Sequence, residues 1–521
     1  MYQPLDESLK KIAQGTGIAV VGMTLGLLLS FITRLIIARY GLQASYGTFS
    51  LALVVLQTAT IISSLGLTRG ATRYIAFFRS AGEEAKIKTT MLTSLRFSML
   101  TSIVVGLVIF FSADAIAQGI FNTPDLTPAL KIFAICVPFS TLISLLTSFF
   151  RGYDRVMPGV LFQTIILNVI TLIILIIITA AELPFITVFY AYLAAVILTF
   201  VVLYIYTVKR LLGSISVTHI KESPPITREL FLFSLPLLGS TIISTLLLHV
   251  DTLMLGYFKT MDTVGLYNAA HPLAAFISMP LSALILIYTP VATGLYSLKK
   301  MTELRRNFIV ITKWLVATSL PIFLVIAMFP EAVLHITFGQ GYITADTILG
   351  LRILAIGFII NNLLGPNGAT LIALGHPKFI LWATTATAIV NFILNLVLIP
   401  PMGIIGAAIA TIIAVTGINF LRLMWLYSLA KIQPFCKNLF KPVIISVALA
   451  LPIQIIAGNF IIVNIWMLPI IFILYCGIYG LAMLLTRSFD REDIALLMAI
   501  EKRSGINAAP IKKFLSRFVR L

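Results

Sequence analysis

The chain has 521 residues, of which 59% are hydrophobic and only 11% charged, with a formal net charge of +18. A soluble chain of this length carries about a quarter charged residues, so an ordinary globular class is excluded. The positive balance does not point to nucleic acid, because lysine and arginine lie in short segments between apolar stretches, where they mark the cytoplasmic side of a membrane.

Taken from the N-terminus, residues 1–14 carry Asp6, Glu7, Lys10 and Lys11. The apolar run after them is too long for the core of a signal peptide, so no cleaved leader is expected. A hydrocarbon layer of about 30 Å needs roughly 20 apolar residues per helix. Fourteen stretches meet that requirement: 17–40, 47–67, 89–112, 129–150, 159–180, 184–207, 230–254, 265–291, 308–328, 347–371, 380–399, 404–427, 442–462 and 465–486. Barrel strands would be about half as long and would alternate in polarity; these stretches do not alternate. The expected fold is therefore an all-α integral membrane protein with fourteen transmembrane helices.

Charge orients the spans. With the N-terminus inside, the cytoplasmic side receives Arg69, Arg73, Arg79, Lys86 and Lys88, then Arg151 and Arg155, then Lys209, Arg210, Lys221 and Arg228, then Lys299, Lys300, Arg305 and Arg306. Of the 37 basic residues, only Arg34, Arg39, Lys131, Lys259 and Arg352 fall on the outer side. Both termini are expected in the cytoplasm of a plasma-membrane protein. The tail repeats Ile511, Phe514, Leu515, Phe518 and Val519 at helical spacing, with Lys512, Lys513, Arg517 and Arg520 opposite. That pattern suits a helix lying on an anionic inner leaflet.

The two halves match at a spacing near 220 residues. Gly152 and Asn168 correspond to Gly375 and Asn391, Lys131-Ile132-Phe133-Ala134 to Arg352-Ile353-Leu354-Ala355, and Tyr46-Gly47 to Val264-Gly265. Each repeat holds six spans, an even number, so the halves share one orientation and their expected pseudo-two-fold runs along the membrane normal. The expected division is a six-helix bundle at 1–210, a second at 229–428, two extra helices at 441–486, and a basic tail at 487–521.

No loop is long enough for an extramembrane catalytic domain, and no GxxxxGK[ST] phosphate loop occurs. Cys136, Cys436 and Cys476 stand alone, without metal-ligand or disulfide spacing. No enzyme activity, cofactor or metal is expected. Ionisable residues inside a membrane are costly and usually face a cavity or a partner. Arg34, about 9 Å inside the end of the first span at 1.5 Å per residue, is the strongest such residue, and Asp251 holds nearly the equivalent place in the second half. Lys131 and Arg352 form another repeat-matched pair. The adjacent amides Asn361 and Asn362 precede Gly365-Pro366-Asn367-Gly368, an interruption expected to break the tenth span and expose backbone groups.

The order and spacing of several short motifs resemble the polysaccharide transporter branch of the multidrug/oligosaccharidyl-lipid/polysaccharide (MOP) superfamily, the O-antigen-type and related flippases. The motifs are Ser30 to Tyr40 with Tyr46-Gly47-Thr48-Phe49, Ser64-Leu65-Gly66-Leu67 leading to Arg73-Tyr74, Asp251 to Gly256, Phe338-Gly339 with Tyr342, and Leu351 to Ala355. The resemblance covers nearly the whole chain. It implies translocation of a lipid-linked sugar, on a polyprenyl or dolichyl phosphate or pyrophosphate, from the cytoplasmic to the outer leaflet by alternating access. Membrane lipids and other glycan-assembly proteins are the remaining expected partners.

On that reading the two six-helix bundles face each other across a cleft, where Arg34 receives the phosphate linker and pairs with Asp251 when no substrate is bound. Arg69 and Arg73 stand at the inner mouth, where entering phosphates or lipid headgroups would meet them, and Asn361 and Asn362 are candidates for sugar contact. The alternative is a cation-coupled drug antiporter of the same superfamily, which needs an acid inside the membrane. The first half has none within its spans, since Glu83, Glu84, Asp114, Asp125, Asp154 and Glu182 all fall in loops; Asp251 keeps that alternative open in the second half.

Overall fold

The computed structural model describes residues 3–211, 224–435, 437–460, 467–486 and 488. Every regular element among them is helical. Among the described residues, twelve helices are long and apolar enough to cross a membrane. The chain divides into two compact units, residues 18–265, and residues 266–521 together with 1–17. The basic amphipathic tail and Cys436 lie outside the described residues.

The unit 18–265 contains most of α1 (Gln3–Tyr40), then α2 (Gln43–Ser63), α3 (Leu67–Ser80), α4 (Glu84–Asp114), α5 (Leu126–Gly152), α6 (Met157–Val160), α7 (Leu167–Ala180), α8 (Ile186–Arg210) and α9 (Pro224–Phe258), and the start of α10 (Met261–Ala275). A π-helical turn, Leu161–Ile166, joins α6 to α7 into one continuous apolar helix; another, Ala115–Ile120, extends α4. α5 is central, packed against α2, α3, α4 and α8. Its buried face is built of Leu145, Phe149 and Phe150 with Phe162 and Leu203, and Phe150 and Phe162 both meet the ring of Tyr206.

Hydrocarbon provides no hydrophobic drive for helices to associate, so small residues bring backbones together. α4 follows this rule. Ser94, Ser98 and Ser102 are fully buried at a spacing of one turn, and a Cβ on Gly106 would lie 2.9 Å from the Ala134 carbonyl oxygen of α5. Thr101 donates to the Ser63 carbonyl, 2.6 Å away, tying α4 to the end of α2. Gly47 and Gly265, the glycines aligned by the internal repeat, pack against one another: a Cβ on Gly47 would lie 2.9 Å from the Gly265 nitrogen, and one on Gly265 3.2 Å from the Gly47 nitrogen.

By hydropathy, residues 68–88 are an inner loop between the second and third expected spans. The structure instead forms α3 there, a 14-residue amphipathic helix. Leu67, Ala71, Ile75 and Phe78 are buried at three- to four-residue spacing, while Arg69, Arg73 and Phe77 are exposed. It is too short and too charged to span a membrane, so hydropathy alone passes over it.

The second unit holds the rest of α10, then α11 (Met279–Ser297), α12 (Met301–Met328), α13 (Pro330–Thr337), α14 (Ala345–Leu363), α15 (Asn367–Ala373), α16 (Pro377–Met402), α17 (Ile404–Ala430), α18 (Lys437–Phe460) and α19 (Met467–Leu485). α14 stops at Leu363 and α15 starts at Asn367; between them Gly365 adopts a φ of 72° and Pro366 caps the new helix. The core here is Tyr288, Phe308, Leu315, Leu371 and Leu426. α18 and α19 correspond to the last two expected spans; their described apolar stretches, Leu439–Ala450 and Ile470–Leu485, are shorter than a full span. The outer faces are apolar, with Ile173, Ile176, Ile177, Ile393, Val397 and Ile473 all exposed, as side chains facing acyl tails should be.

Candidate functional site

A chamber of about 410 Å³ opens within the unit 18–265. Five parts of the chain line it. The end of α2 and the turn after it supply Thr60, Ile61, Ser64 and Gly66; α3 supplies Thr68, Arg69 and Thr72; α5 supplies Ser144 and Arg151; the π turn supplies Gln163; α9 supplies Leu238 and Thr241. Two guanidiniums and a set of hydroxyls therefore share the space, and no carboxylate lines it among the described residues. Arg69 and Arg151 lie close enough for their charges to repel.

Local geometry explains how Arg69 arrives there. α2 ends in two consecutive left-handed residues, Leu65 with φ 50° and Gly66 with φ 72°. This double turn sends α3 away from the axis of α2 and presents its first turn to the chamber. Only glycine suits the second position, because a Cβ there would strike the Ser234 carbonyl and lie 3.2 Å from the Leu238 nitrogen of α9. Arg69 then donates from Nη1 to the Ser240 hydroxyl on α9, 3.3 Å away. Thr72 donates to the carbonyls of Thr68 and Ser148, at 2.9 and 3.0 Å, fixing α3 to α5.

Gln163 donates through Nε2 to Thr147 Oγ1 at 2.6 Å. Its place in a π turn is informative, since that extra residue per turn shifts a side chain's direction and recurs at functional sites. That bond ties the π turn to α5, and the same side chain lines the chamber. The hydroxyls of Thr60, Ser64 and Thr241 back-bond to the carbonyls of Leu56, Ile61 and Leu237, which leaves their oxygen lone pairs available to a guest.

The residues singled out from sequence fall in several places. Arg69 lines the chamber; Arg73, one turn on, does not, and its guanidinium sits 4.1 Å from the centre of the Phe233 ring of α9. Arg34 is half-buried, with its guanidinium in hydrogen-bonding reach of the fully buried Tyr46 and within electrostatic range of Tyr192. Asp251 is buried on α9 in the same unit.

Three residues lie in the other unit. Arg352 is exposed and donates from Nε to the Ala327 carbonyl, 3.0 Å away, near the C-terminal end of α12, where a cation also suits the helix dipole. Asn362 is fully buried, and its Nδ2 donates to the Ile277 carbonyl at 2.7 Å and to Ser319 Oγ at 2.6 Å. Asn361 accepts from Asn419 Nδ2 at 2.6 Å. Arg151 and the hydroxyls around it were not singled out from sequence. The available signal was the run of Ser and Thr on otherwise apolar helices near Gly66 and Gly70.

The family described as "Polysaccharide biosynthesis protein" matches residues 12–293, and the MatE family matches residues 236–397. A putative O-antigen transporter of Shigella flexneri is 25% identical over 74% of this chain and 90% of its own length. A probable low-salt glycan biosynthesis flippase of Haloferax volcanii is 28% identical over 43% of this chain and 47% of its own length. Among solved structures, the lipid II flippase MurJ in an inward closed conformation shares the fold with a TM-score of 0.67 at 16% identity, covering 89% of this chain and 98% of MurJ. An inward-facing multidrug resistance MATE transporter of the MOP superfamily gives 0.65 at 15% identity, covering 80% of this chain and 98% of that one. These named relatives and solved structures are transporters and flippases, not enzymes, and the chain belongs to the polysaccharide biosynthesis protein family.

Proposed function

We propose that this protein is a flippase for lipid-linked oligosaccharides, carried on a polyprenyl or dolichyl phosphate or pyrophosphate, moving them from the cytoplasmic to the outer leaflet by alternating access. The observation that carries this reading is the chamber's lining, with Arg69 and Arg151 both in it and within electrostatic range of each other, hydroxyls around them and no carboxylate among the described residues. Two guanidiniums that repel each other when the chamber is empty are stabilised by an anion placed between them. Phosphate oxygens suit the planar fork of each guanidinium, and the hydroxyls and Gln163 are the polar contacts a sugar needs. A cationic drug would meet repulsion in the same space.

Arg34 then serves as a further cation along the same unit, with Asp251 as the partner that neutralises it between substrates. Fourteen spans in two six-helix repeats and two extra helices, and cytoplasmic termini, complete this reading. The test is flipping of a defined lipid-linked sugar in proteoliposomes. A charge-assisted hydrogen bond is worth about 1.5–3 kcal/mol, so Arg69→Gln and Arg151→Gln should each slow flipping about ten- to a hundredfold at sub-saturating substrate. Wild-type rates for both variants would refute the assignment of the chamber.

A further inference from the structure

A second cation stands inside the unit 266–521 and has no part in the chamber. Arg422 lies on α17, half-buried, eight residues before the helix ends at Ala430. A guanidinium carries five N–H donors and no acceptor. Two of its nitrogens have protein partners, both neutral: Nη1 donates to Asn419 Oδ1 at 3.3 Å and Nη2 to Thr384 Oγ1 on α16 at 3.0 Å. Nε is buried with no acceptor at all. None of the ion pairs among the described residues includes Arg422. A guanidinium at this depth with no counter-charge is expensive, and one held by neutral groups with donors to spare is prepared for an anion.

The surroundings say which anion. α16 starts and α17 ends at the same side, because Phe379 and Trp425 stack with centroids 5.0 Å apart and planes 10° from parallel. Trp382 is five residues into α16 and Trp425 five residues from the end of α17, so both lie about 8 Å in from the helix ends at 1.5 Å per residue. Trp382 is 60% exposed and Trp425 41%, beside exposed Leu381, Leu421 and Met424. Exposed tryptophans among exposed aliphatic side chains mark the boundary between acyl chains and headgroups. Lys378 and Lys431, both exposed, stand nearer the helix ends. The order from the end inward is thus lysine, tryptophan, arginine. It matches a charged headgroup at the lysines, the headgroup–acyl boundary at the tryptophans, and a guanidinium whose stem crosses that boundary so that its head reaches outward to the phosphate.

We propose that Arg422, with Trp382 and Trp425 beside it, forms a binding site for the phosphate of an anionic phospholipid of the surrounding bilayer. The guanidinium holds the phosphate, Lys378 and Lys431 favour a net negative headgroup, and the acyl chains run over the two indoles. The site is independent of the substrate chamber and of whichever sugar the protein carries.

The two tryptophans supply the assay. Full-length protein carrying Trp314→Phe and Trp466→Phe, so that only Trp382 and Trp425 report, is reconstituted in phosphatidylcholine nanodiscs. Phosphatidylglycerol with brominated acyl chains is then titrated in and fluorescence quenching followed. Brominated phosphatidylglycerol should quench at lower mole fraction than brominated phosphatidylcholine. Arg422→Gln should raise the half-quenching fraction of phosphatidylglycerol about five- to tenfold and leave that of phosphatidylcholine unchanged. Arg422→Lys, which keeps the charge, should fall between them and decides the matter if Arg422→Gln does not fold. Equal quenching by the two lipids in the wild type, or no change in Arg422→Gln and Arg422→Lys, would overturn the proposal. So would displacement of phosphatidylglycerol by equimolar polyprenyl phosphate, which would make the site one for the sugar carrier instead.

Discussion

Replacing Gly66 by alanine tests how the chamber is built. Two separate costs are expected. The first is conformational: φ is 72° at Gly66, and an L-residue there costs about 1–2 kcal/mol. The second is steric: the new Cβ would strike the Ser234 carbonyl oxygen, with the Ser234 carbon 3.0 Å away and the Leu238 nitrogen 3.2 Å away. These are backbone atoms of α9, which cannot turn aside as a side-chain tip can, and overpacking of this kind costs about 1–3 kcal/mol. Together the expected loss is roughly 2–5 kcal/mol.

Gly82 provides the control. It has the same φ of 72° but nothing within 4 Å of its Cβ position, so Gly82→Ala should lose only the first amount. In detergent, the apparent melting temperatures should therefore fall in the order wild type, Gly82→Ala, Gly66→Ala. In proteoliposomes Gly66→Ala should also slow flipping, because α9 and Arg69 must separate to admit the methyl group; Gly82→Ala should not. If Gly66→Ala melts at or above Gly82→Ala, the close approach of α9 is wrong and the geometry assigned to the chamber fails with it.

Three further outcomes are expected. Arg34→Ala should abolish flipping while still reaching the membrane, Arg34→Lys should retain weak activity, and Asp251→Asn should alter the rate less than Arg34→Ala; a wild-type rate for Arg34→Ala in the proteoliposome assay would remove Arg34 from the path. Asn362→Leu should cost about 1–3 kcal/mol by leaving the Ile277 carbonyl and Ser319 without their donor, read as a lowered melting temperature; unchanged stability with lost flipping would make Asn362 a substrate contact instead. Single cysteines at positions 155, 209 and 300 in a cysteine-free background should resist an impermeant maleimide in intact cells, and ready labelling of position 300 would reverse the orientation.

The sequence by itself marked the twelve spans found among the described residues, because crossing hydrocarbon depends on a local sum: about twenty apolar residues in a row suffice, whatever they later touch. It also marked the break after Asn362, since Gly365 and Pro366 act on their own backbone. The glycines at 47 and 265 were visible as a repeated pair, although nothing in their spacing said that they would pack against each other. Tertiary structure alone decided the rest. α3 is short and charged, so no hydropathy window detects it; it is helical because Leu67, Ala71, Ile75 and Phe78 find a buried surface to cover. Arg151 looked like one of many inner-loop cations, whereas Arg69 already stood with Arg73 as a candidate at the inner mouth. They form a pair only because a double left-handed turn at Leu65 and Gly66 redirects the chain beside α5 and α9. Asn362 and Asn361 looked alike in sequence, yet one amide points between Ile277 and Ser319 and the other meets Asn419. Which polar group faces a chamber and which satisfies a neighbouring helix depends on the rotation of each helix about its own axis, and packing against residues distant in the chain sets that rotation.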